Sequence, residues 1–275
     1  MDYQQILPPD YLRDYVRYFW TLESNGADAV PKSFKTIADG CPGLIFQRSD
    51  KGLFYQNDKL LSGLFLYGQS TRHANMTSPA AFRTIGVYFY PQGLQSIFGM
   101  NADELTDTCV DLEPTAMLQS ARLSEQLMDT ESLSEQISIL SSYLYQQIQR
   151  NRSKGDRTAL YAVSQIISSN GAVSLRDLQR ELSLTERSFE RKFKQSIGMS
   201  PKLFSRICRF QASLNQMRAN QFSKLSDIAF ENEYADQSHF IRAFKEFAGF
   251  TPNQYQKKSN EIVENFPEIT NGIFR

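Results

Sequence analysis

The chain has 275 residues, 41% of them hydrophobic, and 30 Lys and Arg balance 30 Asp and Glu for a formal net charge of zero. That length suggests about two domains, no apolar run reaches the ~18 residues that span a bilayer, and the N-terminus MDYQQILPPDYLRDYVRYFW lacks the basic start and apolar stretch of a signal peptide. Three dispersed cysteines, Cys41, Cys109 and Cys208, fit small core residues in a reducing, cytoplasmic setting and offer no metal-ligand spacing, so neither metal nor cofactor is expected.

From Val16 to Tyr90 the chain is aromatic-rich and often interrupted. YVRYFWTLE, SFKTI, GLIFQR, GLFYQ, LLSGLFLYG and FRTIGVYFY are each of strand length, and Gly43, Gly52, Asn57-Asp58, Gly63, Gly68 and Pro79 punctuate them. Short strands at this spacing predict a small sandwich or barrel. The aromatics Tyr18, Phe19, Trp20, Phe46, Phe54, Phe65, Tyr67, Tyr88 and Phe89 serve either as its core or as the lining of an apolar pocket. Arg13, Arg17, Arg72 and Arg83 are expected on its surface, with an acidic effector as the alternative. His73 is the one histidine of this half, which argues against a catalytic metal site. A short helix is predicted over Gly93 to Phe98, and ELTDTCVDLEP reads as a surface stretch closing a domain at 1–114.

Residues 115–150 change character. Leu118, Leu123 and Leu127 share one helical face, and Leu133, Ile137, Leu140, Leu144 and Ile148 form a stripe on a second helix. Period alone leaves two readings open: a dimerisation seam, or packing on the β-rich domain. NRSKGDR (151–157) reads as a linker. From Thr158 the pattern is helical up to a stop at Thr251-Pro252, and 259–275 is a tail.

The balanced charge hides a split. Residues 151–260 hold 18 Lys and Arg against 10 Asp and Glu, whereas the rest hold 12 against 20. The basic part suits a polyanion. It also says nearly the same thing twice, as SLRDLQRELSLTERSFERKFKQSIGMSP at 174–201 and LSDIAFENEYADQSHFIRAFKEFAGFTP at 225–252. Each copy is a short amphipathic helix, a break, and a longer helix ending in R-x-F-K-x-x-x-G-x-[ST]-P, the plan of a helix-turn-helix reader of DNA.

In the first unit Leu175, Leu178 and Leu182 form the scaffold face, Thr185 is the N-cap, and Phe189, Phe193 and Ile197 are the buried stripe. The opposite face offers Arg187, Ser188, Glu190, Arg191 and Lys194. Arg187 and Arg191 suit guanine O6 and N7, and Glu190 suits cytosine N4. The second unit repeats this with one more residue in its turn, since Asp177 to Phe193 is 16 positions and Asp227 to Phe244 is 17. Leu225 and Ile228 form its scaffold face, Asp236 the N-cap, and Phe240, Phe244 and Phe247 the stripe. Gln237, Ser238, His239, Arg242 and Lys245 remain for groove and phosphates, with His239 alternatively a cap partner of its own first turn. Between the units Leu203, Ile207, Phe210, Leu214 and Met217 mark one helix from Pro201 to about Ala219, where Arg206, Arg209 and Arg218 add positive charge. At ~1.5 Å per residue it spans about 28 Å, close to the ~34 Å between successive major-groove faces. One chain would then read an asymmetric site.

Residues 157–256 resemble the AraC/XylS class of bacterial transcriptional regulators. The string Asp236-Gln237-Ser238-His239-Phe240-Ile241-Arg242-Ala243-Phe244-Lys245, then Gly249-Phe250-Thr251-Pro252 and Tyr255, carries the resemblance. It implies seven helices with two helix-turn-helix units over 158–258, double-stranded DNA as partner, and base-reading positions at Arg187, Glu190 and Arg191 and at Ser238, His239 and Arg242. RNA polymerase is a further partner if the protein activates, and a homodimer is a further assembly. Two departures stand out. Glu233 replaces the glycine the family favours where a left-handed backbone is wanted, and Gln256 replaces an arginine. More loosely, Asp39-Gly40-Cys41-Pro42-Gly43-Leu44-Ile45-Phe46 and Gly86-Val87-Tyr88-Phe89-Tyr90-Pro91-Gln92-Gly93 resemble the N-terminal domain of a subset of these regulators. That implies a cupin-like β-fold that senses a small molecule or mediates association. The expected fold class is therefore α+β in two domains: a β-sandwich or cupin-like domain followed by helices, then an all-α double helix-turn-helix domain. An alkyl-transfer enzyme on the same helical domain would need a four-cysteine zinc site or an activated cysteine beside histidine, and the three cysteines supply neither.

Overall fold

The computed structural model describes residues 2–25, 30–49, 52–112, 122–152 and 156–258. The expected linker lies partly outside the described residues, and Leu118 and the tail lie wholly outside them. By contact the chain divides into two units. One comprises Met1–Ser33, Cys41–Gln69 and Met76–Gly155, and the other Phe34–Gly40, Ser70–Asn75 and Asp156–Arg275.

The first unit is β-rich. Its strands are β1 (Asp2–Ile6), β2 (Val16–Asn25), β3 (Lys32–Thr36, which runs into the second unit), β4 (Gly43–Arg48), β5 (Tyr55–Gln56), β6 (Lys59–Leu60), β7 (Leu64–Tyr67), β8 (Ala74–Ser78), β9 (Ala81–Phe89) and β10 (Cys109–Asp111). Six form an antiparallel sheet in the order β1-β2-β9-β4-β7-β10, and the others form a sheet in the order β3-β8-β5-β6. Asn57 and Asp58, at φ 46° and 65°, make the two-residue turn between β5 and β6. Short polar side chains tolerate this left-handed geometry, which matches the twist of a tight hairpin.

Among the described residues the unit also holds three α-helices: α1 (Gly93–Phe98), α2 (Leu123–Met128) and α3 (Leu133–Asn151). Phe19, Leu44, Phe46, Leu64, Leu66, Ile85, Val87 and Phe89 of the larger sheet share one core with Leu94, Ile97, Leu123, Leu127, Leu140, Leu144 and Ile148. The α3 stripe is thus buried in this unit's own core, packed against α1 and α2, and burying Leu140 and Leu144 contributes on the order of 1.5–3 kcal/mol each. Some polar groups at the same contacts are paired: Gln136 Nε2 donates to the carbonyls of Leu127 and Thr130, and Asn151 Nδ2 to those of Ile97 and Gln147, while Gln136 Oε1 is buried without a partner among the described residues. Of the aromatic set, Tyr67 is half-buried and the other eight are buried. Trp20 pairs with Gly86, where a Cβ would stand 1.9 Å from the indole ring.

Two expectations need correction here. ELTDTCVDLEP is not merely surface, because Cys109–Asp111 is the edge strand β10 against β7. Arg17 is half-buried rather than exposed like Arg13 and Arg72; its guanidinium lies 5.1 Å from the centre of the Tyr88 ring, where the negative π-face attracts it.

The second unit holds α4 (Arg157–Ser168), α5 (Leu175–Glu181), α6 (Glu186–Ile197), α7 (Pro201–Arg218), α8 (Leu225–Glu231), α9 (Gln237–Ala248) and α10 (Pro252–Lys258). α7 is its axis, and it is buried on more than the stripe predicted for it. Phe204, Cys208, Gln211 and Ser213 are buried as well as Ile207, Phe210, Leu214 and Met217. Ile37 and Ala38 join the same core. Ala38 donates its N–H to the Phe247 carbonyl at 3.0 Å, and its own carbonyl accepts from Gln211 Nε2 at 2.5 Å. Thr251-Pro252 is also not a stop but the start of α10. Thr251 Oγ1 accepts from Gln254 N–H, and Gln254 Oε1 accepts from Thr251 N–H.

Candidate nucleic-acid interface

Each R-x-F-K-x-x-x-G-x-[ST]-P string resolves into three local devices. Gly198 (φ 84°) and Gly249 (φ 78°) end α6 and α9 in left-handed geometry, which glycine adopts without a Cβ penalty. Ser200 and Thr251 then cap the next helix through their hydroxyls. Pro201 and Pro252 take its first position, where the missing N–H costs nothing.

The turns inside the two units are the same motif. After α5, Ser183 N–H donates to the Arg180 carbonyl and Leu184 N–H to that of Gln179. After α8, Glu233 N–H donates to the Phe230 carbonyl and Tyr234 N–H to that of Ala229. The two residues at the equivalent left-handed position are Ser183 (φ 53°) and Glu233 (φ 55°). The geometry that favours glycine is therefore kept in the second turn despite the glutamate, at a cost of about 1 kcal/mol. From there the first turn needs two residues to reach its N-cap and the second three, so the extra residue lies between Glu233 and Asp236.

Both recognition helices begin on side-chain caps. Thr185 Oγ1 accepts from Ser188 N–H at 3.3 Å, and Asp236 Oδ1 accepts from His239 N–H at 2.6 Å. Phe189, Phe193 and Ile197 turn inward from α6, and Phe240, Phe244 and Phe247 from α9. Arg187, Glu190, Arg191 and Lys194 are consequently exposed on α6, with Ser188 half-buried beside them. Gln237, Ser238, Arg242 and Lys245 are exposed on α9. Neither face's arginines and lysines make an ion pair among the described residues, whereas Lys192 is committed to Asp156 at 2.9 Å and ties α6 to α4.

His239 differs from its neighbours. It is half-buried, its Nδ1 accepts from Ala235 N–H at 3.4 Å, and its ring meets Tyr234 edge-on. It thus serves the first turn of α9 as a cap partner, and the bond leaves Nε2 to carry the ring proton. Arg206 and Arg209, counted from sequence as added positive charge, are anchored. Arg206 pairs with Glu246 at 2.6 Å, and Arg209 donates to the carbonyls of Gly171 and Glu233. Sequence reasoning passed over Lys202, although Lys202, Arg206 and Arg209 recur at +4 and +3 on one face of α7.

Two exposed, capped helices of twelve residues are thus held by one core and carry amide and hydroxyl groups and cations that make no ion pair among the described residues. Residues 178–258 match the family described as a helix-turn-helix domain, and residues 4–111 match a domain of unknown function, DUF6597. The second unit carries an AraC-type helix-turn-helix domain. An uncharacterized HTH-type transcriptional regulator of Haemophilus influenzae is 36% identical over 75 residues, covering 27% of this chain and 25% of that protein. One from Staphylococcus aureus is 30% identical over 94 residues, covering 34% of this chain and 12% of that protein. The chain thus spans a quarter or less of these relatives' length. Among solved structures, ToxT from Vibrio cholerae is similar at 14% identity with a TM-score of 0.49, covering 96% of this chain and 100% of that one. Among the described residues, no helix is long and apolar enough to cross a membrane, and no three His, Cys, Asp or Glu side chains cluster as metal ligands.

Proposed function

We propose that this protein is a sequence-specific DNA-binding transcriptional regulator that reads an asymmetric site in adjacent major-groove segments. The observation that carries the reading is the pair of exposed faces on α6 and α9, joined through α7. Its 18 residues span about 27 Å at ~1.5 Å each, against ~34 Å between successive major-groove faces. Arg187 and Arg191 donate to guanine edges, Glu190 accepts from cytosine, and Lys194, Arg242 and Lys245 meet phosphates or guanine, with Gln237 and Ser238 at base edges. The first unit supplies most of the sequence discrimination and the second more of the anchoring, since His239 is partly committed to its own helix.

The same reading assigns residues 158–258 to DNA and residues 1–114 to regulation by a small molecule or partner. It places the protein in the cytoplasm, adds RNA polymerase as a partner if it activates, allows a homodimer, and gives it no catalytic chemistry. The two curated relatives described above are transcriptional regulators by name, which supports the reading. Random-site selection with the intact chain tests it. A preferred sequence is expected, and Arg191→Ala and Arg242→Ala should each weaken binding to it by about 1–3 kcal/mol. Selection without sequence preference, or two variants with unchanged affinity, would overturn it.

A further inference from the structure

A cavity of about 380 Å³ lies between the two helix-turn-helix units, against one face of α7. Gly171, Lys202, Ser205, Arg206, Arg209 and His239 contribute to its wall. Three cations and a histidine thus converge on one space, and the carboxylates facing them, Glu246 on Arg206 and Glu233 on Arg209, do not balance them. The guanidiniums are held in place rather than free. Arg206 lies over the Phe247 ring at 5.2 Å and Arg209 over Tyr234 at 5.9 Å. Arg209 Nη1 and Nη2 donate to backbone carbonyls.

Two donors in this wall have nothing to donate to among the described residues. Ser205 is 7% exposed, and its hydroxyl has no hydrogen-bond partner among the described residues. One helical turn further on, Arg209 Nε is buried in the same condition. Buried donors are rarely left orphaned, because each loses its water without compensation. Lys202 has no ion-pair partner either among the described residues, and His239 Nε2 is left over by the bond at Nδ1. Every unspent group here can donate, and only the Ser205 hydroxyl can also accept, so the ligand that fits best is an acceptor-rich oxyanion. Phosphate is the chemistry that satisfies them all.

We infer that this cavity seats a backbone phosphate of the DNA strand crossing between the two major-groove segments, a contact that fixes register without reading sequence. It rests on the DNA-binding reading above. A strand bridging the two recognition helices must pass the protein between them, and its phosphates are the anions it brings there.

The test uses the intact chain, a duplex recovered by random-site selection and a scrambled duplex of equal length, titrated across a range of salt. Lys202→Gln should weaken binding to both duplexes alike and reduce the slope of log K against log salt by about 1. Ser205→Ala should unfold at the same or a higher temperature, since its hydroxyl has no partner to lose, yet weaken both complexes by roughly 3- to 10-fold. If Ser205→Ala misfolds, exposed Lys202 still decides. Wild-type affinity and slope in both variants would overturn the inference. Arg191→Ala, measured alongside, separates the two claims, because its loss falls on the selected sequence and reports on base reading alone. Millimolar inorganic phosphate distinguishes the source of the anion. If phosphate stabilises the wild type but not Lys202→Gln, while neither substitution alters DNA binding, the cavity holds a free anion and the assignment to DNA falls.

Discussion

The two recognition helices start on different chemistry, and the difference predicts an asymmetry in stability. Thr185 caps α6 with a neutral hydroxyl 3.3 Å from the Ser188 amide; Asp236 caps α9 with a carboxylate 2.6 Å from the His239 amide. Removing an N-cap costs about 1 kcal/mol. The long neutral bond puts Thr185→Ala at the lower end, about 0.5–1 kcal/mol. The short bond to a charged acceptor is worth more, and the carboxylate adds roughly 0.3–1 kcal/mol at the positive end of the helix dipole. Asp236→Ala should therefore cost about 1.5–2 kcal/mol. Asp236→Asn, which keeps an acceptor and gives up the charge, should cost about 0.3–1 kcal/mol. In a domain of about a hundred residues each kcal/mol moves Tm by ~4–8 °C. Thermal unfolding followed by helical circular dichroism thus resolves the three variants. If Thr185→Ala proves more damaging than Asp236→Ala, or if Asp236→Asn is as damaging as Asp236→Ala, the charge-assisted cap is not what holds the start of α9.

Three more expectations concern the same unit. Burial pushes the Asp156 carboxyl up, but hydrogen bonds from Thr158 and Lys192 outweigh it and hold the carboxyl below its usual range. The stability it contributes is therefore complete above the ordinary carboxylate pKa and lost as pH falls through the lower folded value. Denaturation curves from pH 6 down to pH 2 should show this acid-side loss shrinking in Asp156→Asn. Ser183→Gly should stabilise the unit by up to ~1 kcal/mol by relieving left-handed strain, partly offset by the freedom glycine gains on unfolding. Glu233→Gly should gain a few tenths less, because it also gives up the exposed carboxylate 3.9 Å from Arg209; urea midpoints order the two. Gln211→Leu leaves the Ala38 carbonyl without its donor and should cost about 1–3 kcal/mol, so an unchanged urea midpoint would show that water replaces it.

Features decided by neighbours along the chain were legible in the sequence. The caps at Thr185 and Asp236, the inward stripes of α6 and α9 and the longer second turn each depend on a few adjacent residues, and the left-handed backbone at Glu233 follows from the turn that contains it. What depended on distant partners was not legible. β1 reads DYQQI and is exposed along most of its length, and β10 lies in an acidic stretch; each becomes a strand because a neighbouring edge offers hydrogen bonds. No local pattern says that Ile37 and Ala38 belong with the helices, since Phe247 and Gln211 lie more than 170 positions away. Burial around α7 was underestimated for a similar reason. Its apolar stripe marks one side, while Ser205, Gln211 and Ser213 are buried polar residues that a hydrophobic count passes over. Thr251-Pro252 misled because the same pair ends one helix and begins another.

The burial of α7 on several sides bears on how binding sites must be spaced. Phe204 of α7 touches Phe193 of α6, and Phe210 touches Phe244 and Phe247 of α9. The two recognition helices are therefore wedged against a single aromatic spine rather than hung on a pliable tether. One inserted base pair displaces the second half of a site by ~3.4 Å and rotates it by ~35° about the duplex, and a spine of rings packed edge-on and tilted has no slack to follow. Base-pair insertions in the spacer should be tolerated far less than substitutions there, so that a genomic search needs one fixed spacing and not a family of them.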